Sequence, residues 1–302
     1  MSVPEGHSFA LCLTHDVDRP YKSAAQALFY AVTERRPGRL RTLVTDENPY
    51  WQFDAIRALE AAFDVRSAFY FLTEPRLLAD RSPREWLDPD HWIQHLGRYD
   101  VLRDELVAEI RRLDEGGWEV GLHGSTMTAE DRRRMAVEKR RVESALGHPV
   151  VGGRQHYLEL SVPETWRHQS ALGMGYDSSL GSATDYGFDH GYGLQRPFDD
   201  EFVVFPLTLM EQTLPDPGTD FDRAWSAVES LLAAAAENEA VMTVLWHPRY
   251  FSETEFPGYR RLYRRLLARA VEADAWIGPP ADLYERLDHG DQTPTRSPRP
   301  GP

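Results

Sequence analysis

Cysteine is nearly absent: Cys12 is the sole example in 302 residues, which excludes an intramolecular disulfide and any thiolate zinc cluster. Nothing in the sequence therefore requires an oxidising compartment. Lysine is almost as scarce, because Lys22 and Lys139 are the only two among 34 basic residues, leaving 32 arginines. Basic residues as a class are outnumbered by 48 acidic ones, for a formal net charge of −14. Such a field repels phosphate backbones and anionic lipid, so nucleic acid and membrane surfaces are excluded as natural partners. Two origins of this composition stay open: halophilic adaptation, with dense carboxylates keeping a surface hydrated in a salty cytosol, or the codon bias of a GC-rich genome favouring arginine. Long apolar runs are missing too. No stretch approaches the roughly 18 residues of a membrane span, and Met1 to His7 lacks the basic-then-apolar pattern of a secretory signal. The expectation is a soluble cytoplasmic protein without membrane insertion.

What remains is an ordinary globular composition, with 41% hydrophobic and 27% charged residues. A length of 302 suits one large α/β barrel, which typically takes about 250 residues. The tail from His289 to Pro302 is rich in Pro, Arg, Ser and Thr and is expected to be disordered. Residues 1–288 then form a single domain. Within it, short apolar runs predict strands at Phe9 to Thr14, Ser67 to Leu72, Trp118 to Leu122, Val150 to Gly152, near Tyr176, Phe202 to Leu207 and Val241 to Trp246. Helix-period segments fall between them at Asp54 to Phe63, Val101 to Glu115, Ala129 to Leu146, Pro163 to Leu172, Asp222 to Glu237 and Gly258 to Ala273. Ser161, Pro163 and Glu164 suit a capping box, and Gly116-Gly117 and Gly147 suit helix ends. About seven strand–helix units predict a barrel-like or doubly wound α/β fold. The connection from Glu74 to Tyr99 is too long for a simple turn and is read as a lid, a substrate wall or packing over one end.

Chemistry concentrates where strands end. Four apolar runs finish in ionisable clusters: His15-Asp16-Val17-Asp18, His123-Gly-Ser-Thr126, Arg154-Gln-His-Tyr157 and His247-Pro248. In parallel α/β architectures the carboxyl ends of strands converge on the active site, so these clusters should meet. Two aspartates and several histidines offer oxygen and imidazole ligands suited to Zn²⁺ or a similar divalent ion, with groups left over for proton transfer. Asp16 and Asp18 should share a face, since strand side chains alternate with period two.

The order of these motifs resembles that of the NodB-type polysaccharide deacetylases (carbohydrate esterase family four), over nearly the whole chain from Phe9 to about Leu287. Ser67 to Leu72 looks like that family's second strand and Gly175-Tyr-Asp-Ser-Ser179 like the strand after the arginine motif. The resemblance implies a distorted (β/α)7 TIM-like barrel. It implies Asp16 as catalytic base, Asp18 and His123 as metal ligands and Arg154 as the residue orienting the base. Tyr157 would supply a backbone N–H to the oxyanion, and His247 would be the general acid, with Leu245 and Trp246 lining the acyl pocket. The implied reaction is metal-dependent hydrolysis of an acetamide on an N-acetylated carbohydrate, a nucleotide-linked, lipid-linked or free precursor given the absent signal peptide. Water and the amide carbonyl would bind the ion, Asp16 would take the water's proton, and His247 would protonate the leaving amine. An acidic partner should hold His247 as imidazolium, with Asp177 the first choice and Asp185 the second.

One position departs from the family. The second metal histidine usually stands four residues after the first, where this chain has Met127. His156, at a position that is normally proline, is the leading substitute as third ligand; His15, a hydroxyl of Ser125 or Thr126, or no tight metal at all are the alternatives. A hydrolase of another non-peptide C–N bond, or a catalytically degenerate carbohydrate-binding protein, also stays open. The remaining histidines (His91, His95, His148, His168, His190 and His289) lie away from strand ends and are expected to be solvated. Asn48-Pro-Tyr-Trp51 is read as either a sugar-stacking patch or a hydrophobic staple. Substrate, metal and oligomeric state are not specified by the sequence.

Overall fold

The computed structural model describes residues 3–22, 48–74, 83–87, 97–199 and 201–289. Most of the 74–99 connection, His91, His95 and the tail after His289 lie outside these residues. Among the described residues nine strands run in chain order as β1 (Ala10–Val17), β2 (Ala68–Leu72), β3 (Glu119–Gly124), β4 (Gly152–Gln155), β5 (Tyr176–Asp177), β6 (Val203–Val204), β7 (Leu207–Met210), β8 (Val241–Leu245) and β9 (Trp276–Gly278). All named pairings are parallel, in the order β6-β5-β4-β3-β2-β1-β8-β7, and β9 joins β1 at Ala10 to Cys12. Parallel neighbours need crossovers. The helices supply them: α1 (Phe53–Ala61), α2 (Asp104–Glu115), α3 (Arg132–Leu146), α4 (Glu164–Ala171), α5 (Phe221–Glu237) and α6 (Tyr259–Glu272), followed by α7 (Pro280–His289). The result is a curled α/β sheet, a barrel left open between β6 and β7.

Period-two alternation divides the core. On β1, Leu11, Leu13 and Val17 join the large apolar layer beneath the helices, with Phe53, Ile110 and Leu266. Ala10 and Cys12 point the other way, into an interior cluster with Tyr70, Tyr176 and Phe205. Thr14, Asp16 and Asp18 continue that inward row toward the carboxyl end of the strand. Beneath the site the interior is polar as well as apolar. The Tyr70 and Tyr176 hydroxyls meet at 2.9 Å, Tyr176 donates to Glu119, and Glu119 accepts the backbone N–H of Ala281 at 2.9 Å. That carboxylate ties the bottom of the barrel to the first turn of α7, where negative charge is favoured.

Several local expectations are changed by the structure. The run from Phe202 to Leu207 is two strands, because Pro206 has no N–H for a ladder; β6 pairs β5, whereas β7 pairs β8. The short strand β9 and helix α7 were not read from the sequence. No capping box forms at α4, which has no side-chain cap; the Ser161 N–H instead meets the Thr165 hydroxyl at 2.9 Å. Asp131 does cap α3, accepting from the N–H groups of Arg133 and Arg134 at 2.9 and 3.0 Å, and Gly147 ends that helix at φ 100°. Tyr50 is buried, and Trp51 packs edge-on against Phe53 with ring centroids 4.9 Å apart. Of the two readings of Asn48 to Trp51, packing is the one the structure supports.

Candidate metal and catalytic site

The carboxyl ends of β1, β3, β4 and β8 open into one cavity of about 230 Å³, whose lining includes Asp16, Asp18, His123, His156, Tyr157 and His247. Asp16 sits on β1 and Asp18 just beyond it, both facing inward. Arg154 comes from β4, fully buried. Its guanidinium donates to Asp16 Oδ1 at 2.8 Å and to the Thr14 hydroxyl at 2.8 Å, while its remaining donors reach the Ser178 carbonyl and hydroxyl, both at 2.7 Å. A planar guanidinium with partners on three sides cannot rotate away, so it fixes the Asp16 carboxylate in place and supplies the charge that a buried carboxylate needs.

Asp18 divides its oxygens between two groups. Oδ1 lies 3.1 Å from His123 Nε2 and 3.8 Å from His156 Nε2. Oδ2 lies 3.3 Å from His247 Nε2 and 3.5 Å from Arg249. One ligand atom each from Asp18, His123 and His156 lies within 4.8 Å of the others, and all three residues are buried. Ligands at about 2.0–2.2 Å around a tetrahedral ion stand roughly 3.4 Å apart, so a small closure of this group would hold a divalent cation. The donor set is hard and borderline, without sulfur, and Met127 is not among the residues lining the cavity. His123 Nδ1 is turned away to the Arg154 carbonyl at 2.9 Å, which leaves Nε2 for the group. Behind His156, the Nδ1 atom faces Glu74 Oε2 at 3.5 Å. Burial acts to raise the Asp18 pKa, but the charges of His247 and His156 and the hydrogen bond from His123 hold it well below the usual carboxylate range.

On the opposite side, His247 Nδ1 donates to Glu211 Oε1 at 2.7 Å. Burial alone would lower its pKa; the Glu211 and Asp18 carboxylates override that and raise it to about 10. His247 is therefore an imidazolium at neutral pH. Neither expected partner holds it. Asp177 is buried among Trp166, Gln169 and Ser179, accepting the Ser179 hydroxyl at 2.6 Å and the Gln169 amide at 2.7 Å. Asp185 accepts from the Thr184 hydroxyl at 2.7 Å in an exposed turn. Glu211 directly follows β7, but a single strand from Phe202 to Leu207 ends four residues before it, so the sequence does not mark it as a strand-end residue. Glu74, two residues beyond β2, escaped in the same way, having been assigned to the long connection.

The alternation of β1 also removes His15 from the site. It points to the helical layer, with Nε2 3.0 Å from Glu60 and Nδ1 2.5 Å from the Trp246 carbonyl. Glu60 is saturated there by Tyr263, Ser67 and Trp118. Ser125 is occupied as well, its hydroxyl and N–H both donating to Glu138 at 2.7 and 2.9 Å. Trp246 likewise faces the helices, 5.2 Å from Tyr263 between ring centroids, so it does not line an acyl pocket. Leu245 does reach the cavity, beside Met210 and Leu158. Tyr157 and Leu158 both adopt left-handed backbone, at φ 57° and 58°, a strain of about 1–3 kcal/mol each that such sites tend to concentrate. The turn leaves the Tyr157 ring 56% exposed and stacked on His156 at 4.2 Å.

Comparison with solved structures gives the architecture its place. A polysaccharide deacetylase of Mycobacterium smegmatis, so named by assignment, superposes with a TM-score of 0.62 at 19% identity over 100% of this chain and 98% of its own. The fold is that of the polysaccharide deacetylases. A second protein assigned to that class, from Pseudomonas aeruginosa PAO1, matches with a TM-score of 0.58 at 13% identity, over 95% of this chain and 93% of its own. An allantoinase, PuuE, matches equally widely, with a TM-score of 0.60 at 15% identity over 96% and 94%. No family model and no curated relative matches the sequence. The deacetylase fold thus places four strand-end clusters in one cavity, on a sequence that has diverged far from these neighbours.

Proposed function

We propose that this protein is a divalent-metal-dependent hydrolase that removes the acetyl group from an N-acetylated sugar or polysaccharide precursor. The observation that carries the reading is the arrangement of one cavity: a carboxylate clamped by Arg154, an imidazolium clamped by Glu211, and an Asp-His-His group between them. Asp18, His123 and His156 would hold the ion, most simply Zn²⁺ given the tetrahedral reach and nitrogen-rich donors. When bound, it supplies Lewis acidity toward an acyl oxygen. Asp16, fixed by the Arg154 guanidinium, takes the proton from the attacking water. His247 gives its Nε2 proton to the departing amine, and Glu211 keeps the ring oriented and charged while it does so. The Tyr157 N–H is the candidate donor to the developing oxyanion, and the Met210, Leu245 and Leu158 wall offers the acyl methyl an apolar seat. The allantoinase among the structural neighbours supports a second reading, hydrolysis of a different non-peptide C–N bond by the same groups.

The test pairs metal analysis with acetate release from a panel of N-acetylated sugars. Asp16→Asn is expected to retain metal and lose about 10²–10⁴-fold in turnover. Asp18→Asn and His123→Ala are expected to lose metal. Undiminished metal content in that second pair would overturn the ligand assignment, and ring opening of cyclic amides without acetate release would favour the second reading.

A further inference from the structure

Two arginines line the cavity without belonging to the machinery described so far. Arg249 stands two residues beyond His247 in the turn Pro248–Phe251, its side chain 17% exposed, with its guanidinium 3.5 Å from Asp18 Oδ2. Arg19 follows Asp18 directly and lies along the backbone of Gly97, where even a Cβ would approach its Nε to 2.7 Å. Both residues border the main cavity and a small notch beside it, between Asp18 and His247.

The charges around them sort into pairs. Asp16 is met by Arg154 and Glu211 by His247. Asp18 directs Oδ1 at the two histidines and shares Oδ2 between His247 at 3.3 Å and Arg249 at 3.5 Å, so on the Oδ2 side one carboxylate oxygen faces two cationic side chains, with Arg19 next in the chain. A guanidinium that shares its carboxylate with a second cation in a confined, partly dehydrated site keeps N–H donors that interact strongly with a further anion. The exterior argues in the same direction: a chain of net charge −14 repels anions in general, so cationic side chains kept inside the one cavity that holds the reactive groups select for an anion rather than merely attract it.

We propose that the substrate carries, beside its acyl-amide, a carboxylate or phosphate that Arg249 binds, with Arg19 flanking it. This deepens the deacetylase reading and rests on it: the substrate class becomes an acidic amino sugar or a glycosyl phosphate. A guanidinium offers two parallel N–H donors to either anion, and lysine cannot replace that fork.

The experiment uses the full-length zinc-loaded protein and three probes: N-acetylglucosamine, its 1-phosphate, and N-acetylglucosaminuronate, with inorganic phosphate as a fourth arm. Binding is read by calorimetry and acetate release is read separately. At least one anionic sugar is expected to bind about 10- to 100-fold more tightly than the neutral one, the range of a charge-assisted hydrogen bond. Which one wins distinguishes carboxylate from phosphate. Arg249→Gln should abolish that preference and weaken inorganic phosphate binding, and Arg249→Lys should restore only part of both, with the melting temperature and metal content of each variant confirming that it is folded and loaded. Equal binding of all three sugars, or phosphate binding that Arg249→Gln leaves unchanged, would overturn the proposal. Anion-selective binding without acetate release would instead keep the proposal and count against deacetylation.

Discussion

Glu211 and Arg154 perform matching tasks at opposite ends of the site, one holding an imidazolium and the other a carboxylate. The pair makes a pH prediction with a definite sign. His247 has its folded pKa raised to about 10, so its charged form contributes stability that is fully present below the ordinary histidine pKa of about 6.5 and is lost as pH rises toward 10. In the proposed reaction the same proton goes to the leaving amine. Glu211→Gln removes a charge 2.7 Å from Nδ1 and should move the alkaline limb of the kcat/KM profile down by about 1–3 pH units, the usual effect of a close opposite charge. A profile identical to the wild type would show that His247 is not the proton donor. Glu74 has the corresponding position behind His156. Metal ligands are commonly oriented by a carboxylate on the second ring nitrogen, and loss of such a partner costs about 10- to 100-fold in affinity. Glu74→Ala should therefore weaken zinc binding by that factor in a chelator competition, and Glu74→Gln, which still accepts a hydrogen bond, by less. Unchanged affinity in both variants would mean that His156 is placed by its stacking on Tyr157 alone.

Strands decided how much of this was legible in advance. The inward row of β1 and the clusters after β3, β4 and β8 could be read directly, because period-two alternation and strand-end placement are local rules. The nearness of His156 to His123 was legible for a related reason: His156 stands just past β4, and β4 pairs β3 with His123 opposite Arg154. The sequence was misread where locality fails. A proline inside an apolar run divides one expected strand into β6 and β7 and puts Glu211 at a strand end, where it, and not Asp177, meets His247 Nδ1. Two side-chain partners of Asp177 come from α4, eight and eleven residues earlier, and those contacts have no spacing rule; only the bond from Ser179, two residues on, follows a local turn rule. Close approach of strands left a trace only as glycine. A Cβ on Gly153 would stand 2.0 Å from the Leu122 carbonyl oxygen, a backbone atom that cannot yield without breaking β3–β4 pairing. Gly153→Ala should cost about 1–3 kcal/mol by overpacking and, by shifting the neighbouring Arg154, reduce turnover beyond what the stability loss explains. Denaturant unfolding measured beside single-turnover acetate release separates the two effects. Wild-type stability in this variant would refute the strand-contact argument.

For the whole molecule, the scarcity of lysine and the excess of carboxylate set the field at the exterior. Among the described residues no helix is long and apolar enough to cross a membrane, and many of the carboxylates lie on helix faces and loops beside arginines. Some exposed pairs are in contact, such as Arg167 with Glu164 at 3.0 Å, but pairs of that kind contribute little and weaken in salt. Arg154 and Asp16, fully enclosed, are barely screened. What salt changes most is therefore the repulsion summed over a net charge of −14. The screening length falls from about 10 Å at 0.1 M to about 3 Å at 1 M, so raising KCl across that range should raise the melting temperature, while the buried Arg154–Asp16 pair is little affected. A fall in melting temperature would mean that attractive surface pairs outweigh the acidic excess. The same titration separates the two origins of the composition. Screening alone is spent by about 1 M, so a plateau there points to arginine-favouring codon bias. A melting temperature that keeps rising in multimolar KCl requires carboxylates selected for hydration in brine, and only that outcome makes the acidic surface an adaptation.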